Sequence, residues 1–131
     1  MTKKIAWIED DANIIRSVVK PLEYTHKIEI EIFDSMKHAL DEIDAIKECD
    51  LILLDVILPS GMKEMEGQFH IGVHLLRKLR ELGVQIPVIA FTVIGNSETA
   101  KQLRELGVVK ILNKPIFPSE LEHEVMSVLS R

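Results

Sequence analysis

One stretch of the sequence, Leu51 to Gly61 (LILLDVILPSG), places a single carboxylate inside an otherwise apolar run. The run does not alternate between polar and apolar residues, which is typical of a strand buried on both faces of a sheet. Asp55 then falls at the carboxyl end of that strand, just before a Pro-Ser-Gly turn signal. A lone buried carboxylate is costly unless a cation, a hydrogen-bond network or solvent compensates it. The rest of the chain must therefore bring a compensating group to Asp55.

The bulk properties of the chain fit one globular domain. Its 131 residues are 47% hydrophobic and 28% charged, as in ordinary soluble domains. The formal net charge of −5 and the lack of a clustered basic run argue against direct binding of nucleic acid. A single cysteine, Cys49, excludes an internal disulfide, and neither a signal peptide nor an apolar run of ~20 residues is visible. We therefore expect a cytoplasmic protein that binds neither nucleic acid nor a membrane.

Strands and helices alternate five times along the chain, which predicts a doubly wound α/β fold. The strands are predicted at 4–8, 27–33, 51–55, 86–91 and 108–112. The helices are predicted at 12–24, 35–48, 71–82, 96–106 and from 118 onward. The second strand alternates Ile with Glu and belongs at an edge, so a five-stranded parallel sheet of order 2-1-3-4-5 satisfies the pattern. We also expect Pro21 to weaken the end of the first helix, and Ser119 and Glu122 to form a capping box in the last one.

Acidic residues gather where the strands of this predicted sheet end. Glu9 and Asp10 follow the first strand, and Asp55 ends the third. Three like charges so close together would raise one another's pKa values. A hard divalent cation removes this repulsion, and Mg²⁺ fits best because it accepts one or two carboxylates and keeps several waters. The backbone carbonyl of Ile57 is a further candidate ligand.

A hydroxyl and an ammonium are predicted on the same edge. The fourth strand ends at Thr92, and the fifth leads to Lys114. An anionic group on Asp55 would then meet a metal, a hydroxyl and a lysine, which are the parts that phosphoryl transfer uses. Because aspartate can act as a nucleophile, we interpret Asp55 as a carboxylate that becomes an acyl phosphate. The alternative, acids that only cap helices and face solvent, does not account for Asp55 or for the convergence of Thr92 and Lys114.

Four motifs in chain order carry a resemblance to a known family: IED at 8–10, LILLDVILP at 51–59, PVIAFT at 87–92 and ILNKPI at 111–116. With these motifs at strand ends, the whole sequence resembles the receiver domain of two-component response regulators, of the chemotaxis-regulator-like kind. The resemblance implies a flavodoxin-like receiver fold with five helices. It also implies that residues 1–131 form a single receiver domain, and that this domain carries an inserted loop at about 60–69.

The resemblance further implies a role for each site residue. Asp55 would be the phosphoacceptor, Asp10 and Asp55 would bind Mg²⁺ directly, and Glu9 would act through water. Thr92 would contact the phosphoryl group and Lys114 would pair with it, next to a cis peptide bond before Pro115. The phosphodonor would be a sensor histidine kinase or a phosphotransfer protein. Output to a partner or a further domain would run through helix 4, strand 5 and helix 5, and the protein would be a switch rather than an enzyme acting on an external substrate.

The loop at about 60–69 departs from the family pattern. Gly72 best matches the glycine of the family's Asp-Gly step, but it lies far beyond Asp55 in the sequence. The intervening loop exceeds the ~2–6 residues normal for such connections. Two interpretations stay open: a lid or partner-contact loop whose Met62 and Met65 supply adaptable apolar surface, or a mobile solvated insertion.

Two substitutions near the predicted site open alternative functions. Val93 stands where receivers usually have a small residue, which predicts restricted access and slow dephosphorylation. Ile111 replaces an aromatic residue that helps to report phosphorylation. Both support a phosphorylation-independent pseudo-receiver, an interaction module, as the first alternative. The second is an aspartyl-phosphate phosphatase, but such enzymes typically carry an acid two residues after the nucleophile, where this chain has Ile57.

Overall fold

Five parallel strands form one sheet in the computed structural model, which describes residues 2–65, 70–93 and 97–131, with backbone alone for 12–18. The strands are β1 Lys4–Ile8, β2 Glu29–Phe33, β3 Leu51–Asp55, β4 Val88–Thr92 and β5 Val108–Asn113. Their order is β2-β1-β3-β4-β5, and every pair is parallel. The predicted fold class and strand order are therefore confirmed.

Helices cover both faces of this sheet. They are α1 Ala12–His26, α2 Met36–Asp41, α3 Ile43–Lys47, α4 Ile71–Glu81, α5 Ser97–Glu105 and α6 Pro118–Leu129, and a 3₁₀ turn spans Lys63–Met65. The described residues thus hold six α-helices, one more than predicted. The second predicted helix is interrupted at Glu42, whose φ of −110° and ψ of 29° leave the helical region. Ala39 before the break and Ile46 after it are both fully buried.

The first helix continues through Pro21 to His26, two residues beyond its predicted end. Proline removes one backbone hydrogen bond, but tertiary contacts hold the turn that follows it. Leu22 is fully buried, and His26 Nε2 lies 2.7 Å from Oε1 of Glu122 in α6. Pro21 therefore does not shorten the helix.

The apolar core lies on both faces of the sheet, as two clusters of buried side chains. All five residues of β3 are buried, whereas β2 lies at the edge and only Phe33 of its five residues is buried. Trp7 and Phe91 pack edge to face with their ring centroids 6.1 Å apart. Because the core fixes these strands in parallel register, the carboxyl ends of β1, β3 and β4 meet at one edge of the sheet.

The described part of the predicted inserted loop is docked on the start of α2. The carbonyls of Pro59 and Ser60 accept hydrogen bonds from the backbone N–H groups of Met36 (3.0 Å) and Lys37 (2.8 Å). Met62 and Met65, which are partly buried, pack against the core cluster on the α2 side of the sheet. This packing limits the apolar surface that the two methionines could offer to a partner, while residues 66–69 lie outside the described part of the chain.

Candidate functional site

Asp55 is the last residue of β3 and only 2% exposed. Its position is fixed by the sheet, because it is the register partner of Phe91 in β4. Two groups compensate its buried carboxylate. The ammonium of Lys114 lies 2.9 Å from Oδ1, and the backbone N–H of Ile57 donates to the same oxygen at 3.1 Å. The sequence predicted the lysine but not the N–H group, because backbone groups leave no signal in residue identity.

Lys114 reaches the site from the connection between β5 and α6. Its backbone N–H donates to the carbonyl of Thr92 at 2.9 Å, and its peptide bond to Pro115 is cis, as the resemblance implied. The side chain is one quarter exposed, and its ammonium is also 4.0 Å from Oε1 of Glu9. One cation is therefore shared between two buried carboxylates, with the shorter distance to Asp55.

Glu9 follows β1 and is 2% exposed, although its side chain is ionisable. Burial and the adjacent Asp55 carboxylate, with a smaller contribution from Asp10, together raise the pKa of Glu9 to about 9, although Lys114 opposes the shift. The Oε2 atom is buried and has no hydrogen-bond partner in the described part of the chain. Burying an oxygen without a hydrogen-bond partner costs free energy, and a positive group beside Oε2 would reduce that cost.

The acidic cluster meets the requirements of a hard cation. Glu9, Asp10 and Asp55 each offer a carboxylate oxygen, and these oxygens lie within 4.8 Å of one another. Asp10 is exposed, which gives the cluster a solvent-facing side. Oxygen donors with room for water, together with the unpartnered Glu9 oxygen, fit Mg²⁺. The role of the Ile57 carbonyl as a further ligand stays a prediction.

Thr92 is the last residue of β4, one residue beyond the register partner of Asp55. Its hydroxyl donates to the carbonyl of Val93 at 3.1 Å. Within the described hydrogen bonds it does not contact Asp55. The structure therefore brings Thr92 to the predicted edge of the sheet but leaves its hydroxyl turned to its own chain neighbour. Val93 itself is 60% exposed.

Gly72, in the first turn of α4, contacts the backbone of the site directly. Its N–H donates to the carbonyl of Val56 at 2.9 Å. A Cβ at this position would lie 2.4 Å from the carbonyl oxygen of Asp55 and 2.7 Å from the Cα of Val56. Only glycine permits this approach, so the start of α4 holds the end of β3 in place. A glycine at the start of a helical pattern was the one signal of this contact, and the pattern could not indicate how close the backbones lie.

These elements and charges match a known family. The family model of the response regulator receiver domain matches residues 5–126. The chain belongs to the receiver domain family.

Its relatives agree with this assignment. The transcriptional regulatory protein CiaR of Streptococcus pneumoniae is 29% identical over 128 residues, which cover 98% of this chain and 52% of the relative. The phosphate regulon transcriptional regulatory protein PhoB of Escherichia coli is 30% identical over 135 residues, with 100% and 53% covered. The receiver chain thus spans about half the length of these curated relatives.

Solved structures support the same fold. A CheY-like response regulator receiver domain from Methanospirillum hungatei superposes with a TM-score of 0.79 at 24% identity, over 99% of this chain and 95% of that one. Receiver domains bind Mg²⁺ at an acidic pocket and interact with histidine kinases and output domains. Within the described residues, no helix combines the length and apolar character needed to span a membrane.

Proposed function

We propose that this receiver domain is a phosphorylation switch whose acceptor is Asp55. The observation that carries the proposal is the pairing of the Asp55 carboxylate with Lys114 at 2.9 Å beside two further acids. In this arrangement a carboxylate oxygen of Asp55 bonds to phosphorus while the phosphodonor's own bond to that phosphorus breaks. The Lys114 ammonium is close enough to neutralise the added phosphoryl charge.

The proposed reaction depends on Mg²⁺ held by Asp10 and Asp55, with Glu9 acting through water and the Ile57 carbonyl as a further ligand. The cation would neutralise phosphoryl oxygens and orient them toward the acceptor. Glu9 would give up its proton when the cation binds, because the positive charge would offset the burial and the Asp55 carboxylate that raise its pKa. Thr92 would turn its hydroxyl from the Val93 carbonyl toward the phosphoryl group.

The proposed phosphodonor is a sensor histidine kinase or a phosphotransfer protein. We assign residues 1–131 to a single receiver domain with an inserted loop at about 60–69, and we place it in the cytoplasm without direct nucleic-acid binding. We further propose that α5, β5 and α6 transmit the signal to a partner protein or an output domain. The domain would take part only in its own phosphorylation and dephosphorylation and would not act on an external substrate. The net charge of −5 and the single cysteine support these assignments.

Exposure to acetyl phosphate with Mg²⁺, followed by intact mass measurement, tests the proposal. We expect the wild-type chain to gain one phosphoryl group with Mg²⁺ and none with a chelator. Asp55→Asn should gain none, while Asp44→Asn, which removes an exposed carboxylate from α3, should behave as wild type. A phosphoryl group retained by Asp55→Asn would overturn the acceptor assignment.

A second function, the phosphorylation-independent pseudo-receiver, is favoured by one observation. The Thr92 hydroxyl is bonded to the Val93 carbonyl instead of facing Asp55. An interaction module would need only the fold and its surface. The same experiment separates the two functions, since an unmodified wild-type chain under every condition supports the pseudo-receiver.

A further inference from the structure

A cavity of about 370 Å³ opens between α5 and β5. Thr92 is the one residue of the proposed phosphoacceptor site that lines it. The volume lies within the ~300–1,000 Å³ typical of small-molecule sites. We propose that this cavity binds a small carboxylate with a flat apolar body, such as a monocyclic aromatic acid.

The apolar part of the ligand is inferred from three of the lining residues. Val93, Ala100 and Ile111 line the cavity, from the end of β4, from α5 and from β5 respectively. Val93 is 60% exposed, and Ala100 and Ile111 are only partly buried. A flat apolar group placed between α5 and β5 would remove these side chains from water, which is favourable without any specific polar contact.

The charge of the ligand is inferred from Arg104 of α5, which also lines the cavity. No carboxylate is among the lining residues, and within the described ranges no acid lies at ion-pair distance from Arg104. A guanidinium pairs with a carboxylate through two parallel hydrogen bonds. Because Arg104 is exposed, this pair alone would be weak, so the apolar walls beside it are needed for binding.

The remaining lining residues, Thr92, Ser97 and Asn113, are neutral and polar. The Thr92 hydroxyl already donates to the Val93 carbonyl, so the hydroxyl of Ser97 and the amide of Asn113 are the groups that add donors for an anion without adding charge. With one cation and no acid among the described residues that line it, the cavity suits a monoanion better than a dianion or a cation. This inference concerns the unmodified chain and does not depend on the phosphorylation of Asp55.

Titration followed by two-dimensional amide NMR tests the proposal, with benzoate as the probe. We expect saturable shifts confined to 92–93, 97–104 and 111–113, with a Kd on the order of 1 mM. Benzamidine, which has a similar shape but a positive charge, should give no saturable shifts. Acetate, which has the charge without the ring, should bind at least about tenfold more weakly because it leaves the apolar walls exposed.

Variants assign the binding to the cavity. Arg104→Gln should weaken benzoate binding about fivefold, while Lys101→Gln, an equal loss of charge at an exposed position of α5 that does not line the cavity, should leave it unchanged. Ala100→Leu should abolish binding by filling the space, and its amide spectrum reports whether it folds. The proposal is overturned if benzoate gives no localised shifts, if benzamidine binds equally well, or if Arg104→Gln binds as wild type.

Discussion

Two ionisable side chains at opposite edges of the sheet differ in how completely their polar atoms are hydrogen-bonded. At the amino edge, the guanidinium of Arg80 donates to the carbonyls of Leu106 (2.8 Å), Val84 (3.0 Å) and Ile86 (2.8 Å). Burial lowers its pKa, but three acceptors surround the charge. At the carboxyl edge, Glu9 is more deeply buried, and one of its oxygens has no partner among the described residues.

Arg80 therefore has a structural role, whereas Glu9 has an oxygen that is free to bind a ligand. The hydrogen bonds of Arg80 join the end of α4 to the segments that precede β4 and β5, so its charge is used within the fold. Glu9 is held in a costly environment that an added cation would relieve. Three buried side-chain atoms have no hydrogen-bond partner among the described residues, and the one on Glu9 lies at the edge where the receiver family binds Mg²⁺; the other two belong to Trp7 in β1 and Glu31 in β2.

The largest expected effect is at the carboxyl edge, where Gly72 lies directly against the backbone of Asp55 and Val56. Gly72→Ala should lower the free energy of unfolding by about 3 kcal/mol, because the new methyl group would overlap the Asp55 carbonyl. Gly83→Ala at the other end of α4 is the matched control. It has a φ of +90° but open space around it, so it should cost about 1 kcal/mol. Urea unfolding measures both, and equal losses would contradict a tight contact at Gly72.

The next effect tests the amino edge. Arg80→Met keeps an apolar stem but removes all three hydrogen bonds, so it should cost about 2 kcal/mol in urea unfolding. Mg²⁺ affinity should not change, since Arg80 contacts no part of the acidic cluster. Arg77→Met, at an exposed position of the same helix, should stay within about 0.5 kcal/mol of wild type. A drop in Mg²⁺ affinity in Arg80→Met would show that the two edges are coupled.

A smaller effect concerns pH. The folded-state pKa of Glu9 is about 9 against an ordinary 4.5, so the folded chain binds a proton that the unfolded chain has released. This stabilising contribution is complete below pH 4.5 and is lost as the pH rises toward 9. Without Mg²⁺, the free energy of unfolding should fall by about 1 kcal/mol between pH 6 and pH 7, inside that window, and Glu9→Gln should flatten this slope. Because Mg²⁺ would compete with this proton for Glu9, we expect Mg²⁺ to bind more tightly at higher pH.

Calorimetry with and without Mg²⁺ measures both parts of this pH prediction. Glu64→Gln, at an exposed residue of the 3₁₀ turn, is the matched control and should keep the wild-type slope. A wild-type slope in Glu9→Gln would mean that Glu9 does not carry the buried proton.

The smallest expected effect is kinetic and depends on the proposed phosphorylation. Val93→Ala should shorten the lifetime of the phosphorylated chain about threefold, because a smaller side chain beside Thr92 gives water easier access. Intact mass measured over time after removal of the phosphodonor follows the decay. Val109→Ala, at an exposed position of β5 that does not adjoin Thr92, should decay as wild type. An unchanged lifetime in Val93→Ala would refute the steric explanation.

The most accurate predictions from the sequence concern single strands whose pattern of apolar residues shows how they are buried. The bounds of β1 and β3 were correct because both are continuous apolar runs, and the alternation of β2 correctly indicated an edge. The gathering of Glu9, Asp10 and Asp55 followed from the strand order alone. Each of these predictions depends on the spacing of apolar residues or on the position of a residue at the end of a strand, and both can be read from the sequence.

The features that were not predicted depend on contacts between elements. The predicted capping box of Ser119 and Glu122 was wrong, because α6 begins at Pro118 after Phe117, without a side-chain cap, and Glu122 pairs with His26 of α1. The break at Glu42 has no glycine or proline to signal it. Helix propensity describes a helix in isolation, whereas tertiary packing determines where α6 begins and where the second predicted helix breaks.

The hydrogen bonds between residues 59–60 and the start of α2 have a consequence for how the sequence of this chain can vary. Two N–H groups at the start of α2 are satisfied by Pro59 and Ser60, and Gly61 lies so close that an added Cβ would be 3.0 Å from the Cβ of Lys37. Residues 35–37 and 59–61 therefore depend on each other structurally. A graft of the loop into another receiver would have to carry both segments, and natural substitutions in one should be accompanied by changes in the other.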